Sequence, residues 1–241
     1  MDKLTLLALD TATEACSVAL LHQGEKTFLD EVAQRTHTQR ILPMIDEILV
    51  NSGLRLSQID GVAFGRGPGS FTGVRISAAV AQGLALAADL PVIPVSDLMA
   101  MAQAAYVRYQ AENVLAAIDA RMNEVYFAQY RRIKVRSDFG EFFEWQTLID
   151  EQVVAPERIL PQLSSRESLQ VGTGWQAYPL FSANGFKGSE IVLPSARDML
   201  DLALVEWQNK RVVSALDIEP IYLRNEVTWK KLPGRIGCRK A

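Results

Sequence analysis

Between Gly65 and Arg75 the chain reads Gly-Arg-Gly-Pro-Gly-Ser-Phe-Thr-Gly-Val-Arg, with four glycines, two hydroxyls and two arginines. A strand-like run, Gly61 to Phe64, precedes it, and a helix-like run, Ile76 to Ala88, follows. Glycines at such a junction let the backbone take positive φ and approach another surface closely. The start of the following helix presents unpaired N–H groups that suit an anion or a carbonyl. Gly67, Gly69, Ser70, Thr72 and Gly73 therefore form either a phosphate cradle or a tight packing turn. Two common phosphate fingerprints fail here. A P-loop needs a lysine after its last glycine, but Gly73 is followed by Val74 and no lysine lies between Lys26 and Lys134. A dinucleotide turn needs G-x-G-x-x-G, and the spacing from Gly69 to Gly73 is one residue too long.

Periodicity organises the rest of the chain. Leu4 to Leu9, Ala15 to Leu21 and Lys26 to Ala33 read as three successive strands, the first two joined by Asp10-Thr11-Ala12-Thr13-Glu14. Ile41, Ile45, Ile48 and Leu49 then form one helical stripe, closed by Asn51-Ser52-Gly53. Pro43 makes this helix start near Leu42 or kink there. After the glycine turn, Pro91 to Pro94 reads as a short strand, and Ser96 caps a helix to about Gln110. The second half opens in the same style. Ala116-Ala117-Ile118-Asp119 matches Ala8-Leu9-Asp10, and a strand from Glu124 to Tyr130 answers Ala15 to Leu21. A short helix at Pro156 to Leu163, a strand at Leu169 to Val171, the turn Gly172-Thr173-Gly174-Trp175 and a helix from Arg197 to Trp207 complete it. The alternation predicts α/β layers behind an initial β-meander, in two units, 1–110 and 111–241, the last segment packing back on the first unit.

A chain that is 49% hydrophobic and 22% charged can build a sizeable core. Its net charge of −3 argues against gripping nucleic acid unaided, which usually takes a basic surface. Lys230, Lys231, Arg235, Arg239 and Lys240 form a basic tail with no acid after Glu226, either solvated or in contact with RNA. Cys16 and Cys238 suggest neither a disulfide framework nor a metal site. The apolar run Ala78 to Val95 is broken by Gln82, Asp89, Pro91 and Pro94, so no membrane partner is expected, and the cytoplasm is the natural compartment.

Two halves that each open with strand, Asp-turn and strand resemble the actin-like (ribonuclease H-like) ATPase fold, two α/β subdomains each with a mixed sheet and flanking helices. The motifs go further. Leu6 to Ala19, His37-Thr38-Gln39-Arg40-Ile41-Leu42-Pro43, the glycine turn through Arg75, Ala117 to Arg121, Val171 to Trp175, Pro220 to Arg224 and Trp229 to Pro233 resemble, in order, the bacterial TsaB (YeaZ) family. The resemblance implies a subunit of the machinery that places threonylcarbamoyladenosine beside the tRNA anticodon. It implies dimerisation with the catalytic paralogue TsaD, recruitment of the ATPase TsaE, and tRNA contact only through the complex. It implies no cofactor of the chain's own, with ATP or ADP at a shared interface; an apolar partner patch left uncovered would pair with itself, so a homodimer is expected when the chain is alone. The paralogue carries a His-x-x-x-His metal pair, whereas the matching positions here hold Asp97 and Met101, a poor joint site for zinc or ferrous iron. With only His22 and His37 in the chain, neither a metallopeptidase nor a Ser-His-Asp enzyme is expected.

The expected partner-binding residues are His37, Arg40, Ile41, Met44, Ile45 and Ile48 on one helix and Arg75, Ala79, Gly83 and Ala87 on the next. Ala79, Gly83 and Ala87 recur at i, i+4 and i+8, which lets a second helix come close. Ala81, Ala85 and Ala88 lie on an adjacent face. Asp10 and Asp119 read as turn residues or, with Gly172 and Gly174, as the remnant of a nucleotide cleft, and the alternative reading is an active actin-like ATPase or small-molecule kinase. Arg66, Arg75 and Arg121 could pair with acids of this chain or of a partner, and Tyr222, Arg224, Trp229 and Lys230 could wrap back or touch a partner.

Overall fold

The computed structural model describes residues 4–32, 35–137, 140–163 and 167–224. Ala33, the expected end of the third strand, lies outside these residues, as do Trp229, Cys238 and the basic tail from Lys230 to Lys240. Strand β1 (Leu6–Asp10) is fully buried because both its faces are covered. It pairs antiparallel with β2 (Ala15–His22), which pairs antiparallel with β3 (Glu25–Val32). On its other side it pairs in parallel with β4 (Gly61–Gly65), and β4 pairs in parallel with β5 (Val92–Val95). The sheet order is β3-β2-β1-β4-β5. Leu7, Leu9, Val18 and Leu20 point to one side, beneath α1 (His37–Asn51) and α2 (Phe71–Ala88). Leu6, Ala8, Ala19 and Leu21 point to the other. A central strand covered on both faces reads as a continuous apolar run rather than an alternation.

The second sheet has the order β8-β7-β6-β9. Its strands are β6 (Asn113–Arg121), β7 (Glu124–Ser137), β8 (Gly140–Val154) and β9 (Leu169–Val171). The remaining helices are α3 (Asp97–Tyr109), α4 (Pro156–Ile159), α5 (Gly174–Ala177), α6 (Pro179–Ala183) and α7 (Ala196–Gln208). The long helices trade sheets. Leu98, Met101, Ala102 and Ala105 of α3 pack on Val114, Ala116, Ile118 and Val171 of the second sheet. Met199, Leu200 and Ala203 of α7 pack on the first.

Three expectations need correction. The helix after the glycine turn starts at Phe71 rather than Ile76, because Ser70 Oγ accepts the Gly73 N–H at 3.0 Å and opens the helix there. Helix α1 does not start near Leu42. It begins at His37 and runs through Pro43, which forgoes one backbone bond inside the helix. Strand β7 does not stop at Tyr130 but continues to Ser137, because Tyr130 to Ser137 pair with Gly140 to Thr147 of the unforeseen β8. The outer part of β7 alternates Arg132, Lys134 and Arg136 with Ile133 and Val135, so it does not read as a core strand.

Candidate partner-binding face

The glycine turn is a packing turn filled by the chain's own backbone. Ser70 N–H donates to Ala12 O at 2.7 Å, and Thr11 Oγ1 donates to Gly73 O at 2.7 Å. A Cβ on Gly69 would collide with Ala12 O, and one on Gly73 would collide with Thr11 O. The β1–β2 turn therefore lies where a phosphate would have to approach. Gly67, at φ +100°, turns the chain so that its N–H reaches Asp97 Oδ2 at 2.6 Å. Thr72 faces out from the first turn of α2.

Asp10 and Asp97 meet beneath this turn, both 0% exposed. Asp10 Oδ1 accepts the Ala12 N–H at 2.8 Å. A Cβ on Gly65 would collide with Asp10 Oδ1 and stand 2.8 Å from Asp97 Oδ1, so only glycine leaves room for both carboxyls. Burial pushes Asp10 up to about 6. Burial, followed by the Asp10 charge, holds Asp97 well above the ordinary carboxylate range. Met101, at the other position matching the paralogue's metal pair, is fully buried against the second sheet. Among the described residues no three His, Cys, Asp or Glu side chains gather to hold a metal ion.

Arg66 of the turn ties the first half to the second. Its guanidinium donates to Glu151 of β8 at 2.9 and 3.2 Å, and Glu151 also accepts from Tyr130 at 3.1 Å and from Ser96. Glu151 is 13% exposed at its side chain. Glu151→Ala leaves three donors without their acceptor, so a loss of about 2 kcal/mol in unfolding free energy is expected from chemical denaturation.

The second Asp-turn repeats the first. Asp119 Oδ1 accepts the Arg121 N–H at 2.8 Å, as Asp10 Oδ1 does from Ala12. Asp119 also binds the Arg121 guanidinium at 2.9 Å and the Tyr178 hydroxyl at 2.9 Å. Arg121 reaches on to Glu14 in the first turn at 3.2 Å. Gly172 lies against Ala117, where a Cβ would collide with its carbonyl, and a Cβ on Gly174 would stand 3.0 Å from the same residue. Trp175 is 2% exposed in the core beside Phe127, Phe181 and Phe186, and its indole N–H donates to Val171 O. The residues expected to line a nucleotide cleft are thus engaged with their own chain.

The expected partner residues divide between core and surface. Ile41, Met44, Ile45 and Ile48 are 1 to 4% exposed and pack on the first sheet, so they have no surface to give a partner, which corrects their assignment. The stripe is apolar because this protein's own core needs it. The outward side of α1 instead presents Leu42, Pro43, Asp46, Glu47 and Val50. His37 is half-buried at the helix start, and Arg40 grips Glu31 of β3. On α2, Ala81 and Ala85 are buried, whereas Ala79, Gly83, Leu86 and Ala87 are exposed. A Cβ on Gly83 would meet nothing within 4 Å. Arg75 is stacked 3.5 Å above the Phe71 ring, and its Nε donates to Tyr222 at 2.8 Å. The segment after α7 crosses this region: Gln82 donates to Ala215 O, Ile221 N–H donates to Arg66 O, and Arg224 ends on Glu124 and Ala120 O. By length and composition alone, α2 is apolar enough to cross a membrane, but its inner face lies in the core. Sequence reasoning missed Leu42, Val50 and Leu86. For Leu86 the signal was the absence of any charge from Ile76 to Ala88.

A family model described as TsaD, tRNA N6-adenosine threonylcarbamoyltransferase, matches residues 17–193. The chain is 68% identical over 235 residues to the tRNA threonylcarbamoyladenosine biosynthesis protein TsaB of Haemophilus influenzae, covering 98% of this chain and 100% of that protein. It is 50% identical to the protein of the same name from Escherichia coli, over 95% of this chain and 99% of that one. A solved structure of YeaZ from Pseudomonas aeruginosa superposes with a TM-score of 0.79 at 43% identity, covering 91% of this chain and all of that one.

Proposed function

The chain belongs to the TsaB (YeaZ) family, and from that premise we propose that it is the non-catalytic platform subunit of the complex that transfers a threonylcarbamoyl group to the adenosine beside the tRNA anticodon. Its relatives are named for tRNA threonylcarbamoyladenosine biosynthesis, and the chain takes part in that biosynthesis. In the proposed complex it dimerises with the catalytic paralogue TsaD, recruits the ATPase TsaE, and meets tRNA and any ATP or ADP only at shared surfaces in the cytoplasm.

One observation carries this reading: the outward face of α2. A helix with one side in the core ordinarily turns charged residues to water. Here Ala79, Gly83, Leu86 and Ala87 face out, and no charge occurs between Arg75 and Asp89. Leu42 (53% exposed) and Val50 (67%) extend the apolar surface onto α1. Small residues along α2 let a partner helix approach closely, with α1 beside it, as a four-helix contact requires. Such an interface would bury on the order of 1,600 Å². When the partner is missing, two copies would cover the same face with each other. The non-catalytic assignment rests on chemistry already committed elsewhere. Asp97 and Met101 are buried in other contacts, and Asp119 is bound to Arg121.

Reconstituted transfer from threonylcarbamoyl-adenylate to tRNA tests the division of labour. This chain alone should give no product, and adding it to TsaD with TsaE should raise the yield well above that of TsaD with TsaE alone. Product from this chain by itself, or transfer indifferent to it, would sink the reading.

A further inference from the structure

We infer that Asp10 and Asp97 hold a single proton between them, and that this shared proton fastens the glycine turn to the junction of β5 and α3. The two carboxyls come from opposite ends of the first half. One closes β1, and the other opens α3 behind the Ser96 cap. Each spends one oxygen on a backbone donor: Asp10 Oδ1 on Ala12 N–H, and Asp97 Oδ2 on Gly67 N–H. The other two oxygens, Asp10 Oδ2 and Asp97 Oδ1, are buried with no donor to meet them. Two ionised carboxylates cannot satisfy each other, whereas one proton placed between them does so at once. Asp97 is the proton's home. Its acidity is weakened by burial and then by the Asp10 charge, while its hydrogen bond to Asp10 favours the Asp10 carboxylate.

The other charged and titratable groups around the pair do not supply that donor. His37 enters from α1 and acts on Asp10 through its charge, but its own buried Nε2 meets no partner. Arg66 acts on Asp97 from the turn, yet its guanidinium is held by Glu151. Cys16 of β2 senses the Asp10 charge and, like it, carries no positive charge, its thiol pushed up to about 12 by burial. The proton thus links three pieces of backbone, the β1–β2 turn, the β4–α2 turn and the start of α3.

The sign follows from linkage. A carboxyl whose folded value lies above its unfolded value contributes its full stability below the unfolded value and loses it as pH rises toward the folded one. Above Asp10's value of about 6, the native state still keeps the Asp97 proton that the unfolded chain has released. Unfolding by denaturant, measured upward from about pH 6.5, should therefore give the wild type an unfolding constant that climbs with pH more steeply than that of Asp97→Asn, by up to about tenfold per unit, the ceiling for one retained proton. In that variant the amide carries a permanent donor to Asp10 and keeps an acceptor for Gly67. Equal slopes in the two proteins would overturn the inference. Carboxyl-carbon NMR of the wild type gives a check that needs no variant. One of these two aspartates should show a protonated carboxyl at about pH 7, against the usual aspartate value near 4. Finding both fully ionised would refute the shared proton.

Discussion

Gly83→Arg is expected to abolish pairing with TsaD while leaving the fold and its melting temperature essentially intact. The substitution is tolerated locally because a side chain there enters open space, with nothing within 4 Å of the new Cβ. Arginine is also a better helix former than glycine by roughly 0.8 kcal/mol, so the helix itself does not suffer. The cost falls on the partner. Gly83 sits between Ala79 and Ala87 on the outward face, where helix axes could approach most closely. A long cation there holds the helices apart and strands an unpaired charge in the contact, a loss of several kcal/mol. Affinity for TsaD, read by titration calorimetry, should fall by at least about 100-fold. Circular dichroism should be unchanged. Wild-type affinity in this variant would remove α2 from the interface.

Ten residues earlier on the same helix, Gly73→Ala is expected to do the opposite and destabilise the isolated chain by about 3 kcal/mol or more. Helix propensity alone argues for a gain of about 1 kcal/mol. Packing reverses that sign, because the new methyl would collide with Thr11 O and stand 2.6 Å from Ser70 Oγ. The first obstacle is backbone, anchored where Ser70 N–H meets Ala12 O and Thr11 Oγ1 meets Gly73 O. Relief would require the β1–β2 turn to back away from the helix, breaking both bonds. Equilibrium unfolding in urea measures the loss directly. The same change at Gly83 should show only the propensity gain. A stabilised Gly73→Ala protein would mean that the turn yields and that its glycines are not there for close approach.

Much of the fold was legible because its signals are local. The apolar run of β1, the stripe from Ile41 to Leu49, the Ser96 cap and the strand at Leu169 to Val171 all announce themselves within a few residues. The exchange of α3 and α7 between the sheets was not legible, since a helical stripe says that a face is covered and not by which sheet. The same ambiguity misplaced Ile41, Met44, Ile45 and Ile48. Periodicity marks them as apolar, and a core and an interface ask for the same residues. What separates the two is the remaining face. On α1 it carries Asp46 and Glu47 beside Leu42 and Val50, whereas on α2 it carries no charge over its last 13 residues, 76–88. The meeting of Asp10 with Asp97 was hidden for another reason. Neither residue is unusual alone, and only the absence of a side chain at Gly65 lets them converge.

Native mass spectrometry of this chain, alone and mixed with TsaD from the same cell, tests the proposed pairing most directly. The expected spectrum is a one-to-one heterodimer that grows at the expense of any homodimer of this chain, because the two proposed complexes compete for the α1–α2 face. No heterodimer, with both proteins shown to be folded, would contradict the platform role.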